Sequence, residues 1–125
     1  MTLDDTPLVN PRPKHRPKAA ALRGEMHRRH GITRGTSGPI ACAYCGVVGI
    51  RQWTASNRFY GVGGAPLELD HVAPYVHGGP DEANNMEWAC NGCNLRKGSL
   101  TYWTSPNGFL VNGKRTDAAR RGVRA

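Results

Sequence analysis

The sequence predicts a small α+β domain in which a metal site stands in for part of the hydrophobic core. Three observations lead there. Large apolar residues are scarce: Leu, Ile, Val and Phe total 21 of 125, below the roughly 20 % at which a chain of high net charge looks disordered. All four cysteines fall into two C-x-x-C pairs, Cys42 with Cys45 and Cys90 with Cys93. Two short runs alternate apolar and polar side chains, Leu67 to Leu69 and Met86 to Trp88, as half-buried strands do, and a helix-like run follows the second. A chain of this length has no room for a second, cofactor-binding fold.

Residues 1–17 are rich in Pro and basic side chains, a composition that closes no core, and read as a flexible basic arm. From Lys18 to His30 the pattern becomes helical: Pro17 suits a helix start, Ala19, Leu22 and Met26 share one face, and Gly31 suits the C-cap. The other faces of this basic helix offer Arg23, His27, Arg28, Arg29 and His30 to phosphates or to solvent. Residues 31–41 and 51–66, with their glycines and prolines, read as loops. Pro74 stops the strand that begins at Leu67. A short helix is expected to begin around Cys93 and to end at Gly98. A small hairpin is expected around Asn112-Gly113, within a basic tail of residues 106–125. The division is therefore an arm at 1–17, a body at 18–105 and the tail at 106–125.

The net charge of +8 favours a polyanionic partner, nucleic acid or an acidic membrane surface. Residues 1–36 carry +5, residues 37–110 carry −1 and residues 111–125 carry +4, so the ends hold the charge. No secretory leader and no span of about 20 apolar residues is visible, which predicts a soluble, intracellular protein. In a reducing compartment paired cysteines are more often metal ligands than disulfides. Two thiolates two residues apart approach one ion from a tight turn, and two such turns complete a closed tetrahedral shell of four sulfurs, the pattern of a structural zinc site. The 44 residues between Cys45 and Cys90 exceed the spacing of a simple zinc ribbon, so something is inserted between the knuckles. Two disulfides or a redox C-x-x-C are the alternatives.

The insert contains Asp70-His71, Pro74, Gly78-Gly79 and Asn84-Asn85, and it runs into Cys90 and Cys93-Asn94-Leu95-Arg96-Lys97-Gly98. In order and near-spacing this resembles the HNH endonuclease family, over about Cys42 to Gly98. The resemblance implies a ββα-metal (His-Me finger) fold carrying the four-cysteine zinc site. It further implies that His71 is the general base, that Asn85 pins the hairpin loop, and that Asp70 and Asn94 ligate a catalytic divalent ion. Asn at the last motif position, where some relatives have His, points to a hard oxygen site for Mg2+ or Mn2+.

Hydrolysing a phosphodiester requires an activated water and stabilisation of negative charge. A neutral imidazole near pH 7 can accept the proton, and a metal ion supplies the charge stabilisation. By family resemblance the products carry a 5′-phosphate and a 3′-hydroxyl. Adjacent residues of a regular strand point to opposite faces, so for Asp70 and His71 to address one phosphate the strand is expected to end there. Arg96 and Lys97 are expected to clamp phosphates, with Arg23 and Arg28 as further nucleic-acid contacts. Trp53, Trp88 and Trp103 are expected to pack rather than to stack on bases, and His77 is expected in a loop. The function expected is a metal-dependent DNA endonuclease, similar to small phage-encoded HNH proteins, acting in the cytoplasm of a bacterial or phage-infected cell. A phage terminase or another nucleic-acid machine is the expected partner. The alternative is a non-catalytic zinc-knuckle DNA-binding module or accessory subunit.

Overall fold

The alanines that begin at Ala19 favour a helix. In the computed structural model, which describes residues 19–112, that helix is α1 (Ala19–Arg28). The basic arm at 1–17 and the chain beyond 112 lie outside the described residues. Leu22 and Met26 face the core as their spacing predicts, and Gly31, at φ +78°, turns the chain off the helix. His27 does not face phosphates. It is fully buried, its ring 4.8 Å from Phe59, 5.1 Å from Trp88 and 6.3 Å from Trp53. Its Nδ1 donates to the Arg23 carbonyl at 2.7 Å and its Nε2 faces the Arg51 Nε–H at 3.5 Å. A carbonyl only accepts and a guanidinium only donates, so these partners require the neutral ring. Burial holds the His27 pKa below the ordinary histidine value.

The segments expected as loops instead form a three-stranded antiparallel sheet: β1 (Thr36–Ala41), β2 (Val48–Trp53) and β3 (Phe59–Gly64), in the order β1-β2-β3. Their glycines permit close approach rather than looseness. A Cβ at Gly49 would stand 2.1 Å from the Ala65 carbonyl oxygen. Between Ile50 and Arg51 the β2/β3 register shifts by a bulge opposite the glycines of β3. Pro39 is accommodated because β1 is an edge strand.

The alternating runs pair as expected. Strand β4 (Leu67–His71) lies antiparallel to β5 (Met86–Cys90), with Leu67 opposite Cys90 and His71 opposite Met86. Helix α2 (Asn91–Lys97) follows at once, two residues before the expected start, because Cys90 Sγ accepts the Cys93 N–H at 3.4 Å and caps the first turn. This is the ββα arrangement. The 72–85 connection between the two strands contains two single turns, Tyr75–His77 and Ala83–Asn85.

The last hairpin pairs β6 (Tyr102–Thr104) with β7 (Leu110–Asn112). Its turn lies at 105–109, not at Asn112-Gly113: Ser105 N–H donates to the Phe109 carbonyl and Phe109 N–H to Ser105 Oγ, each at 2.9 Å. Asn112 pairs with Tyr102 at the open end. Phe109 and Val111 enter the core, so the folded body runs past the expected boundary at 105. One core joins Met26 of α1, Ile40 and Trp53 of the sheet, Trp88 of β5 and Phe109. Trp88 Nε1 donates to the Met26 carbonyl at 3.2 Å and ties α1 to the ββα unit. Trp53 and Trp88 are packing residues, as expected, and Trp103 stands edge-on to Tyr44. Among the described residues no helix is long and apolar enough to cross a membrane.

Candidate active site and cysteine cluster

The β1–β2 turn carries Cys42 and Cys45, and the β5–α2 junction carries Cys90 and Cys93. All four thiols are free and their sulfurs lie within 4.8 Å of one another. Cys45 Sγ and Cys90 Sγ are 3.7 Å apart, matching the edge of about 3.8 Å that a tetrahedron with ~2.3 Å zinc–sulfur bonds requires. Backbone N–H groups of Tyr44 and Cys93 donate to Cys42 Sγ at 3.3 Å and Cys90 Sγ at 3.4 Å. Burial, with the neighbouring thiols, pushes the Cys93 thiol up to about 12. Four packed thiols resist ionising together without a cation, so geometry and chemistry both fit a structural zinc ion.

Strand β4 runs through both Asp70 and His71 and ends directly after them. The strand ends where the Pro74 stop predicts, with the Asp70 and His71 side chains leaving its last two positions in different directions. Asp70 turns inward. Its Oδ2 accepts from the Tyr44 hydroxyl at 2.6 Å and meets Lys97 Nζ at 3.1 Å. Burial holds the Asp70 carboxyl above the ordinary carboxylate range, and the pull of Lys97 and Tyr44 offsets this only in part. No described residue hydrogen-bonds to Oδ1. His71 turns outward, with Nε2 2.6 Å from Asp81 Oδ1 and its ring 5.7 Å from that of Tyr75.

The 72–85 loop is closed by Asn85, which is fully buried. Its Oδ1 accepts the Ala73 N–H at 2.9 Å, and its Nδ2 donates to the carbonyls of Ala73 at 3.1 Å and Pro80 at 3.0 Å. Its backbone carbonyl accepts from Val72 at 2.8 Å. The neighbouring Asn84 makes no comparable closure: its Oδ1 is buried without a hydrogen bond among the described residues. A Cβ at Gly79 would lie 1.7 Å from the Ala73 carbonyl oxygen, so only glycine fits there. His77 is an exposed loop residue.

On α2, Asn94 is half-buried and Lys97 is fully buried. Lys97 Nζ donates to the His71 carbonyl at 2.9 Å besides pairing with Asp70. The expectation that Lys97 clamps phosphates fails, because its ammonium is enclosed and committed to strand β4. Arg96 is exposed and places Nη2 3.4 Å from Cys93 Sγ, where its charge offsets that of the thiolates. Arg23 and Arg28 are exposed on α1, with Arg28 5.6 Å over the Trp53 ring. Half-buried Arg51 lies 4.8 Å over Trp88. Of the two residues expected to hold a second ion, Asp70 is buried on β4 and Asn94 is half-buried on α2; the cysteines are the one group of three or more His, Cys, Asp or Glu donors among the described residues.

Two contributors, Tyr44 and Asp81, had no signal in the motif. Tyr44 sits between the first two cysteines, buried and edge-on to Trp103 and Phe109, and reaches Asp70 from there. Asp81 follows Gly79-Pro80 in a loop; Lys97, by contrast, lies in the motif but reads there as a phosphate clamp. Searches of curated proteins and of solved structures each return no match. Residues 42–100 match the family model described as HNH endonuclease. They span both cysteine pairs, the β4–β5 hairpin and α2, and so contain Asp70, His71, Asp81, Asn85, Asn94 and Lys97; it is this segment of the chain that is similar to the HNH endonuclease family.

Proposed function

We propose that the protein is a metal-dependent DNA endonuclease in which His71 is the general base. The single observation that carries this reading is the placement of His71: it ends a strand of the ββα unit, faces outward, and has one ring nitrogen engaged by a carboxylate. In the proposed reaction His71 takes the proton from a water attacking the phosphodiester, leaving a 5′-phosphate and a 3′-hydroxyl. Asn85 holds the loop beside it, and Lys97 holds the backbone of His71 itself. Asp70, through Oδ1, and Asn94 would hold a Mg2+ or Mn2+ ion, which supplies Lewis-acid stabilisation of developing negative charge.

Charge distribution supports nucleic acid as the substrate, with the grip on the first half of the body. Residues 19–66 hold six Lys/Arg against one Glu, net +5, whereas residues 67–112 hold two against five acidic residues, net −3. Arg23, Arg28 and Arg96 are the proposed backbone contacts, together with the basic ends of the chain. A role beside a phage packaging motor, with a terminase subunit as partner, is the biological setting we propose; co-purification with that subunit tests it.

One observation favours a second reading, a zinc-knuckle DNA-binding module without catalysis: Asp70 Oδ2 is already engaged by Lys97 and Tyr44. Incubating zinc-loaded protein with supercoiled plasmid, with and without Mg2+ or Mn2+, separates the two. The endonuclease reading requires relaxed or linear product only with the added ion; retarded but intact plasmid under every condition establishes the binding module.

A further inference from the structure

We infer that Asp81 is a positioning residue for His71: the 2.6 Å contact between Asp81 Oδ1 and His71 Nε2 fixes which ring nitrogen carries the proton. This rests on the reading of His71 as general base. An ionised carboxylate only accepts, so the ring must present Nε2–H to it, and Nδ1 is then the unprotonated nitrogen that can act as base. The contact also sets the ring's rotation. A base whose proton sits on the wrong nitrogen, or whose ring turns freely, spends little of its time in the productive arrangement.

Asp81 can do this because its loop is held rigidly. The Pro80 carbonyl, one residue before it, accepts from buried Asn85 Nδ2 at 3.0 Å. Gly79 N–H donates to the Pro74 carbonyl at 3.0 Å, and the Gly79 backbone lies against Ala73 so closely that no side chain fits. The residues that anchor this loop thereby anchor the carboxylate, which gives Asn85 a second consequence besides closing the hairpin. His71 is 12 % exposed at the side chain and Asp81 33 %, so solvent reaches both members of the pair. Asp81 itself touches no reacting atom in this account.

The test uses zinc-loaded protein of full length. Long-range proton–nitrogen correlation of the imidazoles, recorded without any catalytic ion, reads the tautomer directly. Wild type is expected to show His71 as Nε2–H, and Asp81→Ala a mixture of both tautomers, with circular dichroism unchanged. On labelled duplex DNA with Mn2+, Asp81→Ala is expected to lower kcat at least tenfold with KM unchanged. His71→Ala/Asp81→Ala is expected to be no slower than His71→Ala alone. A wild-type Nδ1–H ring, an Asp81→Ala ring still fixed as Nε2–H, or an undiminished kcat overturns the positioning role. If Asp81→Ala unfolds, Asp81→Leu, which fills the same space and has no acceptor, replaces it in both measurements and is judged by the same outcomes. If His71→Ala cuts as fast as wild type, the general-base reading fails instead, and the tautomer measurement alone then decides whether Asp81 orders the ring.

Discussion

Replacing Lys97 with Met removes a fully buried cation and leaves Asp70, only 7 % exposed, as a buried acid without its counter-charge. Breaking such a pair from one side costs about 3–5 kcal/mol, because the remaining charge must be neutralised or solvated. The His71 carbonyl also loses a 2.9 Å hydrogen bond, and an unpaired buried acceptor costs ~1–3 kcal/mol. Burial already holds the Asp70 carboxyl above its ordinary range, so protonating it caps the total near the lower end of the combined range. Asp70→Asn with Lys97→Met removes both charges, keeps an acceptor for Tyr44, and is expected to recover most of the loss. Urea unfolding followed by circular dichroism, at one fixed free zinc concentration, measures all three variants. A Lys97→Met cost below about 1 kcal/mol, or a double variant as unstable as the two single changes added together, refutes the buried-pair argument.

Other consequences follow from the remaining elements. Chelating zinc is expected to abolish the folded circular dichroism signal, since such sites contribute ~10–16 kcal/mol, as much as a whole domain's stability; an unchanged spectrum after zinc loss contradicts the four-sulfur assignment. His27 has a depressed pKa in the fold, so between that value and about 6.5 the unfolded chain binds more protons. Its contribution to stability is present above that window and is lost as pH falls through it; His27→Phe is expected to flatten the decline between about pH 7.5 and 5.5, and an unaltered slope contradicts this. Deleting residues 1–17, which contain three Lys/Arg, is expected to lessen the slope of log K against log salt by up to ~3 if each contacts a phosphate. An unchanged slope removes the arm from DNA binding.

The ββα unit was legible because its signals are local. Cysteine spacing, two alternating runs and the Pro74 stop fix the hairpin and helix within about 30 residues. The three-stranded sheet was not legible, because glycine in a strand carries the same letter as glycine in a turn. Only the approach of Ala65 to Gly49, and the bulge opposite Gly61 and Gly63, reveal its use. The site was legible for residues whose chemistry needs no distant partner, the cysteines above all. His27 read as one more basic residue of a basic helix, and its burial depends on the aromatic rings of Trp53, Phe59 and Trp88. Lys97 read as a phosphate clamp because the sequence does not say that the helix turns it toward Asp70, on the strand before. Asp81 meets His71 only because Asn85 and Gly79 fold the loop back on Ala73.

Single-turnover cleavage of a labelled DNA duplex by His71→Ala beside wild type tests the central claim most directly, with both proteins zinc-loaded, folded by circular dichroism, and supplied with Mn2+. Loss of a general base predicts a rate about 10²–10⁴-fold lower for the variant. Equal rates, or no metal-dependent cleavage by wild type, would contradict the account.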